Sequence, residues 1–102
     1  MKTYEEEETI MQYLGKAYRR SRRRMDILQH LGESSETYDK DRDYVYMIDR
    51  TVMDCSSDTR HVIINEYLKN STPKWYVGYF SKSRYYRVRR DAVREFLHCL
   101  QG

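Results

Sequence analysis

Apolar residues recur along this chain at helical spacing. Met11, Leu14, Tyr18, Met25 and Leu28 fall near one face of a helix. Val45, Ile48, Val52 and Cys55 repeat the period, followed by the group Ile63, Ile64, Tyr67 and Leu68. A last set, Tyr85, Val88, Ala92, Phe96 and Leu100, returns every three or four residues. No stretch of any length alternates apolar with polar residues as a half-buried strand would. The pattern predicts an all-α chain of about five helices.

The punctuation between these stripes sets the expected boundaries. Thr3 and Glu6 have the spacing of a capping box, and the glutamates around them suit the positive end of a helix dipole. Gly32 stands where a glycine would end that helix, with Gly15 as a weak link inside it. The polar stretch "GESSETYDKDRD" reads as a loop, with a second helix starting near Asp41 or Asp43. "SSD" at 56–58 offers a cap for a third helix, and "KNSTP" at 69–73 breaks it. Pro73 suits the first position of a short fourth helix that carries Trp75 and Tyr76 to about Tyr79. Ser81 then caps a final helix that reaches to about Leu100. The organisation expected is a basic N-terminal helix over 1–32, an acidic loop over 33–43, and a helix-turn-helix unit over 44–102.

Composition narrows the class further. At 102 residues the chain has room for one small domain, and a mean hydropathy of −0.98 with 34% charged residues makes its core thin. No apolar run approaches the roughly 18 residues that span a bilayer, and "MKTYEEEET" lacks the features of a signal peptide. A cytoplasmic protein without a membrane partner is expected. Cys55 and Cys99 form neither a CxxC pair nor a disulfide framework and read as structural or incidental thiols. His30, His61 and His98 share no metal-ligand spacing with them, so neither metal nor cofactor is expected. Without a phosphate-binding glycine loop, a nucleophile elbow or converging carboxylates, the chain reads as a binder and not an enzyme.

Charge is segregated along the chain. Residues 10–32 carry six basic side chains and one acidic, 33–58 carry three basic and eight acidic, and 73–102 carry seven basic and two acidic. Such blocks direct positive charge locally at a partner. In the last block, a cap at Ser81 puts Lys82, Ser83, Arg84, Tyr86, Arg87 and Arg90 on the first turns and outward faces of the final helix. A short helix, a tight connection at Tyr79–Phe80 and a long helix with basic first turns describe a helix-turn-helix, whose second helix reads the major groove of duplex DNA. Arginine suits that task because its planar fork binds guanine O6 and N7 together, or phosphate. Lys74, Arg89 and Arg94 are expected to flank the reading surface on phosphates.

"WYVGYFSKSRYYRVRRDAVREFL", Trp75 to Leu97, resembles the C-terminal signature of phage late-gene transcriptional regulators of the ArpU, RinA and LtrC kind. The matching residues are Tyr79 to Arg87, then Ala92 and Phe96. The same stretch is more distantly similar to the recognition helix of sigma factor region 4, and "YVYMIDRTVMDCSSDTRHVIINEYL" to the helices before it. The turn glycine of the pattern falls at Tyr79 here, with Gly78 one residue earlier. The resemblance implies a sigma-like helix-turn-helix bundle and an activator of phage or mobile-element late genes. It also implies a partner, the RNA polymerase of a bacterial host cell.

Other patterns keep alternatives open. "RRSRRR" offers Arg19, Arg20, Arg22, Arg23 and Arg24 as a second nucleic-acid or partner contact, or as plain solvation of a long helix. The acidic block at 33–58 reads as a solvated loop and helix start, or as a contact for a basic surface on polymerase or on a regulatory protein. The basic C-terminal helix itself fits a DNA-binding small terminase subunit, or a module that docks an acidic protein. An RNA binder using "RRSRRR" and exposed tyrosines is a further reading. Nothing in the sequence sets an oligomeric state.

Overall fold

The structure, a computed structural model, describes residues 2–32 and 36–102. It is all-helical: α1 spans Tyr4–His30, α2 Glu36–Met53, α3 Ser57–Ile63 and α4 Lys82–Leu100. A single π turn, Ile64–Leu68, continues α3, and one 3-10 turn, Trp75–Gly78, precedes α4. Among the described residues, no helix is long and apolar enough to cross a membrane.

The first helix begins and ends where the sequence places it. Thr3 keeps an extended backbone, and its hydroxyl accepts the Glu6 N–H at 3.2 Å, while Glu5, Glu6 and Glu7 occupy the first turn. At the other end Gly32 adopts φ +68°, a left-handed conformation that glycine enters without a Cβ penalty. Its N–H donates to the Gln29 carbonyl at 3.1 Å and closes the last turn.

The second helix corrects the expected acidic loop. Residues 36–43 are helical, and 33–35 lie outside the described residues. Two exposed pairs stitch this acidic stretch, Lys40 to Glu36 and Arg42 to Asp39, both at 3.5 Å. The inward residue of these turns is the carboxylate Asp41, only 5% exposed, and so no apolar period marks them. Asp41 accepts from Arg24 Nε and Nη2 at 2.6 Å each, and from the Ser21 hydroxyl at 3.1 Å. The hydrogen bond from Arg24 is the main cause that holds its carboxyl below the usual carboxylate range, against the upward push of burial.

A depressed native pKa makes Asp41 stabilising above its unfolded value near 4, and that contribution disappears as pH falls through the lower native value. Urea unfolding of the Asp41→Asn variant should therefore show lower stability than wild type at neutral pH. The difference should shrink once the pH drops below about 4.

The core is shared by all four helices. Met11 and Tyr18 come from α1, Val45, Ile48 and Val52 from α2, and Val62, Ile63 and Tyr67 from α3 with its π turn. Helix α4 adds Ala92, Val93 and Phe96, all fully buried. Helix α1 thus joins the same hydrophobic cluster as the helices that follow it. Tyr44 assists by donating its hydroxyl proton to the Leu14 carbonyl at 2.9 Å.

The π turn has a structural use. Its wider winding sends the Lys69 N–H to the Ile64 carbonyl, five residues back, and leaves the Tyr67 carbonyl to accept from Arg19 Nη1. Gly15 packs directly beneath that carbonyl, so the expected weak link of α1 is a point of close approach to the backbone of the π turn.

Candidate nucleic-acid interface

Helix α4 is seated by its cap and by aromatic packing. Ser81 is extended, and its hydroxyl accepts the Arg84 N–H at 3.2 Å, as its position in the sequence predicts. The short helix expected from Pro73 is one 3-10 turn, which lays Trp75 and Tyr76 against the inner face of α4. Tyr76 stacks on buried Tyr85 with centroids 3.7 Å apart and planes within 5°, and Trp75 meets Tyr85 edge-on at 5.8 Å. His61 of α3 packs against Tyr79 at 4.4 Å and Trp75 at 5.3 Å. The connection at Tyr79–Phe80 closes when both N–H groups donate to the Tyr76 carbonyl at 2.9 Å.

The N-terminus of α3 is tied to α4 as well. Ser56 holds the cap position but makes no side-chain capping bond. Its own N–H donates to both oxygens of Glu95, at 3.0 and 3.1 Å. Burial pushes the Glu95 carboxyl up, yet these bonds and those to Thr59 outweigh it and leave the pKa lowered.

With 3.6 residues per turn, Ser83, Arg87, Arg90 and Arg94 line up opposite Tyr85, Ala92 and Phe96. All four are exposed, and Lys82, Arg84 and Tyr86 flank them on the first turns, exposed too. Lys74 is exposed ahead of the 3-10 turn. The stripe divides into two halves. Its C-terminal half borders the start of α1: the Arg90 guanidinium lies 4.9 Å from the Tyr4 ring centroid, and Arg94 Nε pairs with Glu7 at 3.2 Å. In the N-terminal half, Arg84 makes an exposed 3.6 Å pair with Asp58, worth little in water. Lys82 and Arg87 enter no ion pair among the described residues.

Arg89 does not belong to this surface, contrary to the sequence expectation. It lies four residues after Tyr85 and four before Val93, on the inner side, with its side chain 23% exposed. There it donates to Glu8 Oε1 and, at 3.3 Å, to the Tyr67 hydroxyl. Glu8 also accepts from Tyr67, from Tyr4 at 3.1 Å and from Gln12 at 3.2 Å. Burial alone would lower the Arg89 pKa, but Tyr67 and Glu8 more than reverse this, so its charge is fixed. Burial, followed by the bond to Glu8, pushes the Tyr67 phenol well above its ordinary value. This cluster is a clasp between α1, the π turn and α4.

The arginines of "RRSRRR" are likewise divided. Arg19 is spent on the Tyr67 carbonyl and Arg24 on Asp41. Arg20, Arg22 and Arg23 remain exposed, with Arg22 reaching only the Tyr18 hydroxyl at 3.5 Å. Sequence reasoning did not single out Lys16 and Lys69, which lie near Arg22 and Arg23 around one groove. Lys69 directly follows the π turn, its N–H donating to the Ile64 carbonyl at 3.0 Å.

Among the described residues, no group of three or more His, Cys, Asp or Glu converges as a metal site would require. Cys55 is a buried free thiol whose pKa is pushed up, chiefly by burial and then by the neighbouring Cys99. No protein-family model, curated protein or solved structure matches the chain.

Proposed function

We propose that the chain is a sequence-specific duplex DNA-binding regulator of transcription whose reading surface is the exposed start of α4. The supporting observation is the Ser81-capped helix with Lys82, Ser83, Arg84, Tyr86 and Arg87 exposed on its first turns. A helix of this kind meets base edges with its N-terminal residues while arginines farther along grip phosphate. Arg90 and Arg94 suit the second role and Lys74 an adjacent phosphate. The resemblance to phage late-gene regulators adds the biological setting. It suggests activation of phage or mobile-element late genes together with host RNA polymerase, inside the bacterial cell.

Anisotropy titrations of a duplex chosen from a random pool test this reading. Arg87→Ala should weaken that duplex by about 1–3 kcal/mol and relax preference at one base pair if Arg87 holds a guanine. The affinity of the wild type should fall with salt, log against log, with a slope of about −0.9 for each phosphate contacted. Unchanged affinity in Arg87→Ala removes that residue from the reading surface.

A second reading draws on the pairs Arg84–Asp58 and Arg94–Glu7, in which the edges of this face already accept carboxylates. The same surface would then dock an acidic protein. Capture of a partner that persists after nuclease treatment, and that Arg87→Ala abolishes, would favour this reading over DNA.

A further inference from the structure

A second cationic surface lies along α1, where it faces the end of α2 and the π turn. Beyond Arg19, the interhelix hydrogen bonds of α1 among the described residues go only to α2, from Ser21 and Arg24 to Asp41. A groove of about 750 Å³ opens between α1, the end of α2 and the π turn. Val52, Met53, Ile64 and Leu68 contribute apolar lining, and Met53 is 66% exposed. Lys16, Arg22, Arg23 and Lys69 stand around them, and none enters an ion pair among the described residues. Two carboxylates also line the groove, Asp26 and Asp49, the latter accepting from the Tyr18 hydroxyl at 2.6 Å.

We propose that this groove binds an acidic amphipathic helix from a partner protein. Its aliphatic face would cover Met53 and Ile64, at the edge of buried Val52 and Leu68, and its carboxylates would meet Lys16, Arg22, Arg23 and Lys69. The lining along α1 runs from Lys16 to Asp26, a rise of about 15 Å, which matches roughly three turns of a docked helix. Charge complementarity selects an acidic occupant, since cations outnumber carboxylates in the lining and enter no ion pair among the described residues. The apolar lining selects a polypeptide over nucleic acid, because a phosphate backbone has no aliphatic stripe to bury. The proposal does not depend on DNA recognition by α4, which uses a different helix.

The test is an NMR titration of the isotope-labelled full chain with a synthetic helical peptide bearing leucine on one face and glutamate on the other. Saturable shifts are expected at Lys16, Arg22, Arg23, Met53, Ile64 and Lys69, with α4 unmoved. Arg22→Glu combined with Arg23→Glu should weaken the peptide about tenfold or more, and Met53→Ser should weaken it as well. These three positions are exposed, and an unchanged unfolding midpoint confirms that the variants are folded. Absence of shifts at millimolar peptide overturns the proposal, as do shifts confined to Lys82–Arg90. Equal binding by a peptide with serine in place of leucine also overturns it, because that would be plain polyanion attraction. So does a parallel loss of duplex DNA affinity in the Arg22→Glu, Arg23→Glu variant, which would make the groove a nucleic-acid contact.

Discussion

Glu8→Ala is expected to lower the unfolding free energy by about 3 kcal/mol, the cost of leaving a mostly buried charge without its partner. Glu8 is 15% exposed and collects protons from Arg89, Tyr67, Tyr4 and Gln12. Removing its carboxylate strands the Arg89 guanidinium against the π turn and takes an acceptor from two tyrosines. For a chain of this size the midpoint of thermal unfolding should fall by about 10–20 °C. Replacing both charges at once, Glu8→Leu with Arg89→Met, should cost clearly less than Glu8→Ala alone, because no unpaired charge remains. Scanning calorimetry of the single and double variants distinguishes a clasp from a passive surface pair. A loss below about 1 kcal/mol in Glu8→Ala would place this cluster with ordinary exposed ion pairs.

The second large effect is at Gly15, and its sign is the informative part. In a helix interior, glycine to alanine ordinarily stabilises by roughly 1 kcal/mol. Here a Cβ would lie 2.6 Å from the Tyr67 carbonyl oxygen and 3.0 Å from the Tyr67 Cβ. The oxygen belongs to backbone held in the π turn and by Arg19, so it cannot swing aside as a side chain would. Gly15→Ala should therefore destabilise, and Gly15→Val should cost about 2–3 kcal/mol as α1 is forced off the turn. Denaturant unfolding of the two variants reads this directly. Stabilisation by alanine would mean that α1 and the π turn are not in contact in solution.

Much of the frame was legible in the residues. Thr3, Gly32 and Ser81 mark helix ends through local chemistry, and the stripe from Tyr85 to Phe96 fixes which side of α4 faces inward. What escaped is burial by charged groups, which hydrophobic periodicity does not register. The first turns of α2 looked like a loop because their inward residue is Asp41, whose partner Arg24 lies 17 positions upstream in another helix. Arg89 looked like one more basic residue of the reading surface because its partner Glu8 is 81 positions away. Gly15 looked like a helix weakness for the same reason, since the carbonyl it accommodates belongs to a turn some fifty residues later. Arg87, Arg90 and Arg94 lie on the outward side of α4 by helical period alone, opposite Tyr85, Ala92 and Phe96, and all three are exposed.

The acid-sensitive contacts follow the same division. Asp41 and Glu95 both have lowered native pKa values, so both add stability that acid removes. Both lie outside the face assigned to DNA, and neutral-pH binding should not register them.

The central claim is that the outward start of α4 reads duplex DNA. The most direct measurement is the affinity of a duplex selected from a random pool for three proteins: wild type, the combined Arg84→Ala, Arg87→Ala, Arg90→Ala variant, and Arg50→Ala on the exposed side of α2. A single enriched motif is expected, with a loss of about a hundredfold or more in the triple variant and little change in Arg50→Ala. A pool that yields no motif, or a triple variant that binds its duplex as tightly as wild type, contradicts the claim.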